Sequence, residues 1–74
     1  MDYPKFKNVG DMLCALETEV DKGTHHFRLL MKNGEKEEVN VSHFWEDDIV
    51  IADDGMNPCG WIEDDKVESF IPVK

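Results

Sequence analysis

The hydrophobic period of the chain changes once, near Thr24, and that change restricts the folds open to it. Before it, Val9, Met12, Leu13, Leu16 and Val20 recur at helical spacing and form one stripe. Asn8 stands where an N-cap belongs, and Asp11, three positions on, resembles the acid of a capping box. Lys22 and Gly23 supply a basic last turn and a C′ glycine. The pattern predicts a helix over about residues 9–22. After Thr24, Phe27, Leu29 and Met31 alternate with His26, Arg28 and Leu30, which is the period of a strand.

Asn33-Gly34 then signals a hairpin, with Val39 and Val41 on the returning strand. A two-residue loop at Asn33-Gly34 would set Leu29 opposite Glu38 and turn both valines to the wrong face. An odd loop corrects this, so the expectation is Lys32-Asn33-Gly34 with Gly34 left-handed in a G1 bulge. Ser42 to Trp45 is ambiguous between strand continuation and one helical turn. Ile49 to Ala52 reads as a central strand, Met56 to Gly60 as a loop, Trp61-Ile62 as the start of a fourth strand, and Lys66 to Ile71 as the last. The expected fold is α+β: an N-terminal helix followed by a small, strongly twisted antiparallel sheet of four to five strands, an SH3-like partial barrel. With 74 residues and no linker or repeat, the chain reads as a single domain, 1–74.

A core of that size contributes only about 3–5 kcal/mol of net stability, so a supporting device is expected. Cys14 and Cys59 do not form a disulfide framework, and the opening residues Met1 to Lys7 carry no apolar segment of the secretory kind. Free thiols in a reducing cytoplasm are therefore the expectation, and self-association the expected support. No apolar run approaches the length that spans a bilayer, so no membrane partner is expected.

Charge is the other strong signal. The chain carries 17 Asp and Glu against 8 Lys and Arg, a net charge of -9. Residues 1–37 hold seven acids and six bases, whereas residues 38–74 hold ten acids with only Lys66 and Lys74. No Lys or Arg lies between Glu37 and Asp65. Such a surface cannot neutralise phosphates, which excludes direct nucleic-acid binding. Solvated turns account for many of these acids, and a field aimed at a basic partner is the functional alternative. Phe44, Trp45 and Trp61 are interleaved with the acids, as an interface anchor requires. Core packing is the expectation for Trp61; for Trp45, core and interface both stand open.

Catalytic and metal chemistries lack their motifs. His25, His26, His43, Cys14 and Cys59 show no zinc spacing, and adjacent His25 and His26 point to opposite faces of a strand. Asp53 to Asn57 lacks the ligand alternation of a calcium loop. Cys59 sits in an accessible Pro-Cys-Gly loop, but no base is placed beside it by sequence. No glycine-rich phosphate loop occurs. The expectation is no enzyme, no metal and no cofactor.

The functional expectation is a small acidic interaction module, an inhibitor or regulator docking on a basic, nucleic-acid-binding protein surface and imitating a nucleic-acid backbone. Its expected contact residues are Glu46, Asp47, Asp48, Asp53, Asp54, Asp64 and Asp65, with Trp45 as apolar anchor. At class level the chain is analogous to small acidic proteins, often phage-encoded, that inhibit host nucleic-acid-handling enzymes; no matched motif carries a closer likeness. The alternative is a homo-oligomer that sequesters a small anionic ligand with His25, His26 and Arg28.

Overall fold

The computed structural model describes residues 2–73. Helix α1 spans Val9–Asp21 and is followed by strands β1 (His26–Met31), β2 (Lys36–Trp45), β3 (Asp48–Ala52) and β4 (Pro58–Glu63). A 3-10 turn, Asp64–Lys66, leads into β5 (Val67–Pro72). All ladders are antiparallel, in the order β4-β3-β2-β1-β5. The sheet is not closed into a barrel: β4 and β5 remain its two edges.

Both ends of α1 are capped by the residues expected. The Asn8 side chain accepts from the Asp11 N–H at 2.8 Å. At the other end, Gly23 at φ 97° donates to Val20 O and Thr24 donates to Glu19 O. This is the paired bonding of a Schellman cap, which satisfies carbonyls the helix leaves open. The first hairpin has the three-residue loop: Met31 N–H meets Glu35 O at 2.7 Å, Gly34 N–H meets Met31 O at 2.9 Å, and Gly34 takes φ 90°. Phe27 then pairs with Val39, so the apolar residues of both strands share a face.

That face carries the core. Met12 and Leu16 from α1 meet Phe27, Leu29, Val41, Ile49, Val67 and Phe70 from the sheet, all buried. Phe70 lies edge-on to Phe27 at 5.5 Å and is stacked by Phe6 at 5.7 Å, which draws the segment before the helix onto the core. Ser69 is buried but satisfied, donating its hydroxyl to Pro4 O.

Three bulges separate the observed strands from a regular alternation. Val41 pairs with Ile51 but His43 with Val50, leaving Ser42 as the extra residue of β2. Cys59 is the extra residue of β4 and Glu68 that of β5. Ser42 to Trp45 thus continues as strand. β4 begins at Pro58, earlier than the expected start at Trp61, because Pro58 sits on an edge strand where no ladder donor is required.

Candidate interaction surface on the β3–β4 hairpin

The bulge at Ser42 decides which aromatic residues reach the core. Without it, Trp45 would share the inward face of Val39 and Val41; with it, Phe44 packs inward and Trp45 turns out. On β4, Ile62 takes the inward position opposite Ile49, which leaves Trp61 outward opposite Val50. Trp45 and Trp61 are consequently 66% and 68% exposed. The core role expected for Trp61 is thereby overturned: period two admits only one of the adjacent pair Trp61-Ile62 to the core.

Two rows of paired residues cross the outward face. One runs Trp45, Asp48, Glu63; the next runs His43, Val50, Trp61. The two indoles stand on β2 and β4 with β3 between them. They wall a groove of about 330 Å³ that is also lined by Asp48, Val50, Pro58, Cys59 and Gly60. Singly exposed apolar residues are ordinary, but two indoles bordering one groove form a patch.

The acids expected to form one surface fall into three places. Glu46 and Asp47 make the β2–β3 turn beside Trp45, with Glu46 at φ 55°, and Asp48 follows in the groove. Asp53 and Asp54 lie beyond the far end of β3, with Asp53 about 16 Å from Asp48 by strand rise. There the Asp53 carboxylate accepts from the Gly55 and Asn57 N–H groups at 2.9 and 3.0 Å, so it shapes its own turn. Asp54 lines a separate hollow with His26, Glu38 and Asn40. Asp64 and Asp65 belong to the 3-10 turn, and Asp65 borders a hollow shared with Lys32 and Lys66. Of the acids expected to make contact, Glu46, Asp47 and Asp48 are brought to the exposed indoles, where Glu63 joins them in the row of Asp48. Among the described residues, the ion pairs of the β3–β4 region come down to Glu63–Lys66 at 3.6 Å, between two exposed side chains.

The residues of the alternative ligand site divide differently. His26 and Arg28 both engage Glu38, at 3.6 and 3.2 Å, on the exposed face of β1 and β2. His25 instead has Nδ1 2.8 Å from Val41 O, a tie between the strand entry and β2. Among the described residues no group of His, Cys, Asp and Glu is arranged to hold a metal ion. Cys14 and Cys59 are both free and exposed. No helix among the described residues is long and apolar enough to cross a membrane.

Comparison with protein families, curated proteins and solved structures finds no match to this chain.

Proposed function

We propose that this protein is a non-enzymatic interaction module that docks on a basic protein surface, with Trp45 and Trp61 as anchors and Glu46, Asp47 and Asp48 as the charged contacts. The observation that carries the reading is the pair of exposed indoles beside acids that have no Lys or Arg partner among the described residues. Aromatic anchors supply affinity where water is expelled, and a one-signed field raises the encounter rate with an oppositely charged partner. A basic surface of that kind is typical of proteins that bind nucleic acid, so competition with the nucleic acid would make the module an inhibitor or regulator. The more distant Asp53, Asp54, Asp64 and Asp65 contribute field rather than contact in this reading.

The sheet is read here as an SH3-like partial barrel. In support, β1 to β4 form a meander, β2 bends at its bulge, and a single 3-10 turn carries the chain from β4 to a β5 that lies beside β1.

The test compares the parent with a variant carrying Asp47→Asn, Asp48→Asn, Asp53→Asn and Asp54→Asn. Each is immobilised and exposed to cell extract at about 50 mM and about 0.5 M salt, where screening lengths differ severalfold. The expected result is a nucleic-acid-binding protein retained by the parent at low salt, released at high salt and by added DNA, and not retained by the variant. Equal retention by the variant overturns the reading.

A further inference from the structure

The groove between Trp45 and Trp61 has a floor of Val50 and a carboxylate, Asp48, in its lining. The register sets Asp48 directly between Trp45 and Glu63, so two acids of neighbouring strands stand at the same end of the groove. The Glu46-Asp47 turn closes that end. A volume near 330 Å³, at the lower limit of about 300–1,000 Å³ for ligand pockets, with exposed walls, suits one long side chain better than an enclosed small molecule.

We infer that the groove receives an arginine side chain of the basic partner, its guanidinium stacked between the two indoles and its N–H groups directed at the Asp48 carboxylate. The inference rests on the docking function proposed above and names the partner's chemistry at that site. Charge complementarity selects a cation, since Asp48 is the one ionisable side chain lining the groove apart from the Cys59 thiol, and Glu46, Asp47 and Glu63 outnumber Lys66, the partner of Glu63, at its closed end. A second copy of this chain would bring like charges together at the same place. Planarity selects arginine over lysine. A guanidinium is weakly hydrated, lies flat against an indole and offers several donors in one plane, whereas an ammonium is compact and holds its water. The bulge residue Cys59 and Gly60 add little bulk on the β4 side, so the Trp61 face stays open to the groove.

The experiment titrates the full chain at low salt with two short peptides of equal charge, one arginine-based and one lysine-based. The readouts are the two indole N–H signals by NMR and the dissociation constant. The expected result is that the arginine peptide shifts both indole signals and binds about tenfold more tightly than the lysine peptide. Trp61→Ala and, separately, Trp45→Phe with Asp48→Asn reduce that preference to within about twofold, each variant first checked for native circular dichroism. Salt-dependent binding of both peptides with equal affinity and unmoved indole signals overturns the arginine clamp while leaving acidic docking intact. No binding of either peptide overturns both. Indole shifts that follow protein concentration without peptide show instead a contact between copies of this chain, and the clamp falls.

Discussion

The two halves of the molecule solve the same backbone problem in opposite ways. Among the described residues four take positive φ: Gly23 and Gly34 in the helix-bearing half, Glu46 and Met56 in the β3–β4 half. The first half is charge-balanced and supplies Met12, Leu16, Phe27 and Leu29 to the core. The second half is acidic; it supplies Val41, Ile49, Val67 and Phe70 to the same core, but its edge strand β4 contributes no fully buried residue. Glycine at a left-handed position removes strain and leaves no side chain to present. Glu46 and Met56 keep the strain and present side chains at either end of the groove-bearing hairpin. Strain held at turns in one region, and avoided in the other, is the pattern that the proposed docking role would call for in the second half.

The largest effect that tests this contrast is in the core. Phe27→Ala removes a ring that meets Phe70 edge-on and is expected to cost about 3–5 kcal/mol. A core this small contributes only about 3–5 kcal/mol of net stability, so this variant should be largely unfolded. Trp61→Ala, an even larger truncation but on the outward face, should stay within about 0.5 kcal/mol of the parent. Urea denaturation followed by circular dichroism measures both. A Trp61→Ala loss comparable to that of Phe27→Ala would abolish the division between the core and the outward face of the β3–β4 hairpin.

The turns come next in size. Gly23→Ala and Gly34→Ala meet no steric contact at the added Cβ, so each should cost only the backbone strain, about 1–2 kcal/mol. Glu46→Gly and Met56→Gly run the exchange backward. Each is expected to gain about 0.5–1 kcal/mol, the relief of strain being partly offset by the greater entropy of glycine in the unfolded chain. Midpoints of urea unfolding at constant slope give the signs directly. If both glycine variants lose stability, the left-handed turns of the second half are held by their side chains and the contrast must be redrawn.

How much of this is legible in the sequence depends on whether one rule decides each feature. The helix and its caps follow from period and end residues that agree. The loop of the first hairpin follows because only one loop parity puts Phe27, Leu29, Val39 and Val41 on a common face. The outward turn of Trp45 is not legible, since it depends on one extra residue at Ser42, and nothing local to that serine marks a bulge. Trp61 fails for a related reason: of two adjacent apolar residues period two admits one, and the larger residue is the wrong choice when the inward neighbour faces Ile49. The grouping of the acids is a matter of strand order. Carboxylate runs that look continuous along the chain are separated by the length of β3.

The smallest expected effect concerns that separation and bears on how the acids are to be probed. Asp53 and Asp54 are neighbours of equal charge at one exposed turn, yet only Asp53 receives backbone N–H groups, those of Gly55 and Asn57. Asp53→Ala leaves both donors to water and should cost about 1 kcal/mol, comparable to the loss of a helix N-cap. Asp54→Ala should change stability by less than about 0.5 kcal/mol. Amide exchange at Gly55 and Asn57 reports on the turn itself and should quicken only in the Asp53 variant. Asp53→Asn separates shape from charge, because the amide oxygen accepts the same bonds while the charge is gone. If it retains the slow exchange and Asp53→Ala does not, the carboxylate's structural duty is its oxygen, and the negative charge at that turn is left free for the field proposed above.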